Sequence, residues 1–404
     1  MKHIFTILLS IILLGTSPVC ALAQEAYAVM SPDSTTLTFY YDKKKSSRMG
    51  TTYEINAEDS VPKWVKWLKI HEHSIPDNDN FTTVVFDESF KDARPLSCAK
   101  WFAGFSSLTK IEGINNLNTS NVTNMSDMFH NCENLTSLDV RNFDTSNVKD
   151  MSLMFASCDS LTSIDVSHFD TSKVTDMSSM FEFCEKLTSI DVSKFDTSNV
   201  TNMSSMFDGC DSLTSIDVSH FDTSKVTDMS SMFDGCEKLT SIDVSKFDTS
   251  NVTDMSSMFY GCDSLTSIDV SHFDTSKVTD MKWMFFGCQS LTKLDLSRFN
   301  TSNITDMDIM FCYCFKLTKL DLSRFNTSNV TSMYCTFYGC INLKTIYAGD
   351  GWNTSKVENS KKMFEDCTNL VGGKGTKFNS EITDITRAKI DGGKENPGYL
   401  TAKK

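Results

Sequence analysis

Apolar residues return along most of this chain at one fixed spacing, and that spacing predicts the fold. Cysteines and leucines each recur every 26 residues, and eight units run without insertion from residue 135 to 342. Looser units of 27 residues flank them at 108–134 and 343–369. Such a period predicts a solenoid over 108–369, in which each unit is one coil that buries its apolar face against its neighbours.

Each unit begins with a pattern typical of a short strand. In the unit 213–238, Ile216 and Val218 are two residues apart, so they share one face of an extended segment that begins at Leu213. Asp222-Thr223-Ser224 then predicts a turn. The apolar residues that follow recur at steps of 3, 3, 1 and 3, which predicts about two helical turns ended by Gly235: Val226, Met229, Met232, Phe233 and Cys236.

The units therefore predict an α/β repeat solenoid of the leucine-rich-repeat type. We expect a parallel sheet on its concave face, with strands about 4.8 Å apart, and short irregular helices on the opposite side. Both ends need caps, because an open end exposes core and strand edges. Residues 24–107, with predicted strands at 35–41 and 82–87, form the N-terminal cap, and the Gly-rich residues 370–404 form the C-terminal cap.

The repeat also resembles a known family. The segment 213–236, LTSIDVSHFDTSKVTDMSSMFDGC, is similar to the repeat of the BspA-like leucine-rich-repeat surface proteins of bacteria, and the resemblance covers about residues 108–369. It implies an exported leucine-rich-repeat protein and, for some members, adhesion to host matrix proteins or to other bacteria. It implies no particular binding residue.

The first 23 residues predict export. They combine Lys2, an apolar run from Ile4 to Leu14 and a small-residue end, so we expect a signal peptide cleaved after Ala23. Cys20 leaves open an alternative as a lipoprotein acceptor, although Pro18 and Val19 fit that processing poorly. No later segment is apolar over the length that a transmembrane helix needs. We expect a secreted or cell-surface bacterial protein.

The net charge limits the classes of partner that we expect the chain to bind. A formal net charge of -14 repels phosphate backbones and anionic membranes, which excludes nucleic acid as an expected partner. We expect a monomer that binds an extracellular protein or glycan.

An acidic residue stands between the two inward-facing residues of each predicted strand. Stacked about 4.8 Å apart, such charges repel by roughly 0.9 kcal/mol per pair in water. One interpretation is a solvated ladder, partly neutralised by Ser219 and its equivalents and by Lys194, Lys246, Arg298 and Arg324. The second is a recognition surface for a cationic or polar partner, and the third is calcium binding. The aspartate ladder comprises Asp139, Asp165, Asp191, Asp217, Asp243, Asp269, Asp295 and Asp321.

The other recurring groups predict packing rather than chemistry. His168, His220 and His272 are two coils apart, too far for one metal ion. The stacked cysteines are expected to be buried thiols, since their Cβ spacing exceeds that of a disulfide. Cys312 and Cys335 leave this column in adjacent coils, and a bridge between them, or with Cys314 or Cys340, is the candidate disulfide.

No catalytic motif is present, and near-identical coils do not bring unlike groups to one point. We therefore expect a protein without enzymatic activity, metal or cofactor that binds its ligand through the concave face. The alternative is a spacer whose length is set by duplication, with recognition by a cap or a partner protein. Divergent later units offer another place for a specific patch, with the aromatic residues Trp283, Phe286, Tyr313, Phe315, Tyr334 and Tyr338.

Overall fold

The computed structural model describes residues 24–55, 61–70, 73–76 and 78–403, so the predicted signal peptide lies outside the described residues. An N-terminal sheet has the order β3-β1-β2-β6-β7. Its strands are β1 (Glu25–Met30), β2 (Thr36–Asp42), β3 (Thr51–Glu54), β6 (Thr83–Phe86) and β7 (Lys110–Glu112), and β4 (Trp67–Ile70) pairs with β5 (His73–Pro76) in a separate hairpin. The strands predicted at 35–41 and 82–87 are confirmed as β2 and β6.

Aromatic packing holds this sheet against the first coils. The Phe39 ring stacks on Phe86 at 4.8 Å and on Trp101 at 5.1 Å between ring centroids. The Trp64 indole Nε1–H donates to the carbonyl of Trp101 at 2.7 Å, so this buried polar group is satisfied. The strand β7 belongs to the looser unit 108–134 and pairs in parallel with β6. The sheet therefore continues from the predicted cap into the first unit.

The units from 135 to 342 pack in register at the 26-residue step. In the unit 213–238 the apolar positions from Leu213 to Cys236 are all buried, as the pattern predicts. Equivalent phenylalanines stack along the array, with 5.8 Å between the ring centroids of Phe207 and Phe233 and 5.9 Å between those of Phe233 and Phe259. Each apolar side chain therefore contacts the same residue type in the neighbouring coils.

The predicted helices are wrong. In the segment 229–236, called the turn segment here and in every unit, the N–H groups of Met229, Ser231, Phe233 and Gly235 donate to carbonyls of the next coil. Of the N–H groups between them, those of Met232 and Asp234 donate three residues back and that of Ser230 donates to Asp228 Oδ1, which builds a run of tight turns. Ser231 and Gly235 have φ of 52° and 65°, which an α-helix cannot contain. The described residues hold four 3₁₀ helices and no α-helix: Lys45–Ser47, Glu88–Asp92, Ile114–Asn116 and Ile385–Arg387.

The predicted parallel sheet forms only in part. Beyond β7, strands in the units occur at β8 (Lys319–Leu322) and β9 (Thr345–Ala348), which β10 (Leu400–Ala402) extends to three parallel strands. In the middle units, the segment equivalent to 213–218, called the opening segment, is joined to its neighbour by weak bonds such as Thr214 N–H to Thr188 O at 3.4 Å.

A buried threonine in each coil adds a further bond between coils. Thr223 is 0% exposed, and its hydroxyl donates to the carbonyl of Asp248 in the next coil at 2.9 Å. The same bond recurs at equivalent positions, for example from Thr197 to Asp222. This threonine both fills core space and satisfies a carbonyl that no strand ladder reaches.

At the C-terminal end, Asp391 organises the chain that follows the last unit. It is 3% exposed and accepts the N–H groups of Lys374, Thr376 and Gly393 as well as the Thr376 hydroxyl. These bonds hold the pKa of this carboxyl well below its usual range, although its burial acts in the opposite direction. The resulting loops position β10 against the edge of β9.

The threonine column yields a stability prediction. Thr223→Val keeps the shape but removes the hydroxyl, so we expect a loss of about 1–3 kcal/mol in the free energy of unfolding, measured by urea denaturation. Thr227→Val is the matched control, because Thr227 is exposed and its loss should change stability by less than about 0.5 kcal/mol. Equal effects of the two substitutions would contradict a structural role of the buried column.

Candidate functional site

The aspartate ladder lies on the surface of the opening segments. Asp321 is half-buried and the other seven aspartates are exposed, while their apolar neighbours Ile216 and Val218, and the equivalents of these, are in the core. The alternation arises because successive residues of an extended segment point to opposite sides. All eight predicted residues are thus on one side of the array, one in each coil.

Most ladder aspartates use one carboxylate oxygen in a local turn. Asp217 Oδ1 accepts the backbone N–H of Ser219 at 3.0 Å and the Ser219 hydroxyl at 2.6 Å. These two bonds lower the pKa of Asp217, and the equivalent serines do the same for Asp165, Asp191, Asp243 and Asp269. These five carboxylates therefore stay ionised at neutral pH.

The two ends of the ladder differ from its centre. Arg141 pairs with Asp139 through Nε and a terminal nitrogen at 2.9 and 2.7 Å, and its hydrogen bonds lower the pKa of Asp139 to about 2. Lys403 pairs with Asp321. Within the described residues, no ion pair joins the ladder to the predicted neutralising residues Lys194, Lys246, Arg298 and Arg324, and Oδ2 has no hydrogen-bond partner in six aspartates: Asp165, Asp191, Asp217, Asp243, Asp269 and Asp295.

The histidine column contacts backbone. His168 Nε2 lies 3.0 Å from the carbonyl oxygen of Val140, and His220 Nε2 lies 3.0 Å from that of Val192. His272 Nε2 is buried without a partner among the described residues. Each ring also meets the following phenylalanine edge-to-face at 5.1 Å between centroids. These contacts give the histidine column a role in packing between and within the coils.

The cysteine column lies in the core. Each Sγ–H points at a phenylalanine carbonyl of the preceding coil, as from Cys236 to Phe207 at 3.3 Å. Burial raises the pKa of Cys184 to about 12, so the thiol is neutral and unreactive. Cys312 and Cys335 are also buried and are free thiols in the structure; the disulfide between them stays a prediction.

The described ranges contain neither a candidate metal site nor a candidate transmembrane helix. No group of three His, Cys, Asp or Glu residues there has the geometry to hold a metal ion. In the same part of the chain no helix has the length and apolarity to cross a bilayer.

Comparison with protein families identifies the repeat. The model described as "Mycoplasma protein of unknown function, DUF285" matches residues 96–191, 183–293 and 266–378, together most of the chain. The chain belongs to the DUF285 family. No curated protein matches this DUF285 chain by sequence.

Solved structures similar to this DUF285 chain include bacterial leucine-rich proteins. A leucine-rich cell surface protein from Faecalibacterium prausnitzii is 18% identical over 86% of this chain and 92% of its own, with a TM-score of 0.32. A leucine-rich-repeat protein from Eubacterium ventriosum is 17% identical over 85% and 93%, with a TM-score of 0.35. The functional domain of InlJ from Listeria monocytogenes, which includes a cysteine ladder, is 15% identical over 75% and 72%, with a TM-score of 0.24.

A second set of acidic residues lies in the turn segments, where sequence reasoning did not look. Asp208 and Asp234 occupy equivalent positions in adjacent coils of the DUF285 repeat and are half-buried. Burial raises the pKa of each to about 7, and for Asp208 the charges of Asp234 and Glu182 add to the effect. Aligning the units in columns would have shown the neighbouring acids, but their burial depends on the turns.

These raised values predict a pH dependence of stability. The pKa of each of these carboxyls is higher in the folded protein than in the unfolded chain, where it is near 4. Such a group stabilises the fold fully below about pH 4, and this stabilisation is lost as the pH rises to about 7. Replacing Asp208 and Asp234 by Asn should therefore raise the melting temperature at pH 8 by a few degrees and leave it nearly unchanged at pH 4.

A control pair should respond with the opposite sign. Asp170 and Asp222 have lowered pKa values, caused first by hydrogen bonds from Ser172 and Ser224. These two carboxylates stabilise the fold above about pH 4, and this stabilisation is lost on acidification. Replacing both by Asn should therefore lower the melting temperature at pH 8. A higher melting temperature for both pairs at pH 8 would contradict the assignment.

Proposed function

We propose that this DUF285 protein is an exported, non-enzymatic surface protein of the leucine-rich-repeat solenoid type that binds an extracellular protein or glycan through the aspartate ladder. The observation that carries the proposal is the row of six ladder aspartates, from Asp165 to Asp295, whose Oδ2 atoms have no partner among the described residues. Such a row offers repeated acceptors to a cationic or polar partner.

The geometry of the ladder also supports binding over an extended surface. Each Oδ1 is fixed by the serine two residues on, so the carboxylate is oriented before any partner arrives. Fixed groups lose little conformational entropy on binding. Because the next coil repeats the arrangement, several weak contacts add together along the array.

A triple substitution tests the ladder. Asn can replace Asp in the local turn, since Asn202 Oδ1 accepts the Ser204 N–H in this chain just as aspartates do elsewhere. Asp217, Asp243 and Asp269 changed to Asn should retain the fold but lower the affinity for the ligand by about tenfold or more. Binding would be measured against matrix proteins, glycans and bacterial surfaces.

The control removes the same charge elsewhere. Asp350→Asn, Glu358→Gln and Glu381→Gln alter three exposed acids outside the ladder and should leave the affinity unchanged. If the ladder variant binds every ligand as tightly as the parent, the ladder is not the binding surface.

A spacer role is the second candidate. Residues 161–212 and 213–264 differ at only four of 52 positions, which is what recent duplication of a two-coil unit produces. A protein selected for length needs no special residues in such units.

Deletion of residues 161–212 separates the two candidates. The deletion keeps the 26-residue register, so the shortened chain should fold. A spacer with recognition elsewhere keeps its affinity in solution after deletion, whereas a ladder that loses Asp165 and Asp191 binds more weakly. Calorimetric titration of both chains with the same ligand measures the difference.

A further inference from the structure

The turn segments of three consecutive coils carry a row of glycines, of which Gly235 and Gly261 are partly exposed. Gly235, Gly261 and Gly287 occupy the same repeat position, with φ of 65°, 63° and 70°. A Cβ placed on Gly261 would meet only the backbone of Gly235 within 4 Å, at 3.6 Å. A Cβ on Gly235 would lie 3.7 Å from Asp211 Oδ1 and one on Gly287 would lie 3.6 Å from Asp263 Oδ1, but no aromatic ring is among the nearest atoms to this row of glycines.

The same repeat position carries aromatic residues on either side of the row. Phe183 and Tyr313 adopt the same left-handed backbone, with φ of 53° and 59°. A Cβ on Gly209 would lie 2.3 Å from the Phe183 ring, and one on Gly339 would lie 2.4 Å from the Tyr313 ring. An aromatic side chain here thus lies over the glycine of the next coil, and where glycine replaces it a cleft opens.

This glycine cleft, floored by Gly235, Gly261 and Gly287, has a volume of about 410 Å³. One wall is aromatic, with the Tyr260 and Phe286 rings stacked at 4.4 Å and an interplanar angle of 15°. Tyr313 and Phe315, with ring centroids 5.6 Å apart, close the end.

Another part of the cleft lining is polar and acidic. It consists of Glu237, Asp263 and Gln289, one from each coil. Gln289 Nε2 donates to Asp263 Oδ2 at 2.7 Å and thereby orients that carboxylate. Among the described residues, neither Glu237 nor Asp263 takes part in an ion pair, so the negative charge of this part of the lining is not compensated by the chain.

Burial makes the ionised form of the carboxyls around the cleft less stable. It raises the pKa of Asp263, and the nearby charge of Glu237 adds to the effect. Beyond the aromatic wall, Asp234 stands in the coil before Tyr260 and has a pKa raised to about 7 by burial. A cation in the cleft would stabilise the ionised form of these groups.

We propose that the glycine cleft binds an arginine or lysine side chain of a protein partner. Both side chains are amphipathic, with an apolar stem that packs on glycine backbone and aromatic rings and a cationic head that pairs with carboxylates. The lining of the cleft combines both kinds of surface. A neutral sugar would stack on the rings but would leave the negative charge uncompensated. This site lies in the turn segments and does not depend on the aspartate ladder.

The test uses short peptides of alternating glycine and arginine, with citrulline peptides as neutral isosteres and with chito-oligosaccharides as the glycan probe. Calorimetric titration of the full chain should show binding of the arginine peptide, with an affinity at least about tenfold higher than that of the citrulline peptide. A lysine peptide and its acetyl-lysine counterpart should differ in the same direction.

Two exchanges of glycine and phenylalanine at the same repeat position form a matched pair. Gly261→Phe copies the backbone and ring of Phe183, lays a ring over Gly287 and should abolish peptide binding. Phe183→Gly uncovers Gly209 outside the cleft and should leave the affinity unchanged or higher. Circular dichroism and melting curves establish that both variants are folded.

A charge variant keeps the test decisive if Gly261→Phe does not fold. Glu237→Gln with Asp263→Asn should lower the affinity for the arginine peptide at least about tenfold, while Glu381→Gln should not change it. Equal binding of arginine and citrulline peptides, binding of the glycan alone, or unchanged affinity in the charge variant would each overturn the proposal. The ladder variant with Asn at 217, 243 and 269 should still bind the peptide, which separates this result from the test of the ladder.

Discussion

The hydrogen bonds between turn segments are the interaction on which the rest of the structure depends. Met229, Ser231, Phe233 and Gly235 each donate to a carbonyl one coil further on, and equivalent residues do so in neighbouring units. These bonds form only if neighbouring turn segments follow the same path, and they also join the 26-residue units to the flanking units of 27 residues. Once the backbone is in register, the stacked phenylalanines, thiols and threonine hydroxyls follow, because each side chain meets its own equivalent.

The sequence predicts which residues are buried better than it predicts how the backbone runs between them. Leu213, Ile216 and Val218 are in the core, but the apolar steps after Val226 fit a helix and a run of turns equally well. What decides between them is whether an N–H bonds within its own segment or to the next coil, and no single unit contains that information. The surface position of the ladder aspartates follows from the sequence pattern, whereas the contacts of Oδ1 in the serine turn depend on the folded backbone.

Aspartates on the two acidic surfaces differ in pKa because their surroundings differ. Asp217 is exposed and accepts hydrogen bonds from Ser219, so its pKa is lowered, whereas Asp234 is half-buried with a weaker bond from Ser231, so its pKa is raised to about 7. Hydrogen bonds favour the charged form and desolvation disfavours it. The opening segments therefore present permanent charge, and the turn segments hold carboxyls that respond to protons or to a nearby cation.

Duplication explains why a distinct cleft occurs where the units begin to differ. Identical coils can build only uniform columns, so any concave site with unlike walls requires neighbouring coils to diverge. The exchange of Asp208 for Tyr260 between the two duplicated pairs begins an aromatic column that Phe286 continues, while glycine stays at 235, 261 and 287. Tyr260 and Phe286 make one part of the cleft lining apolar, while Glu237 and Asp263 make another part acidic. The repeat supplies the rigid floor, and a small number of substitutions is enough to place unlike chemistry around it.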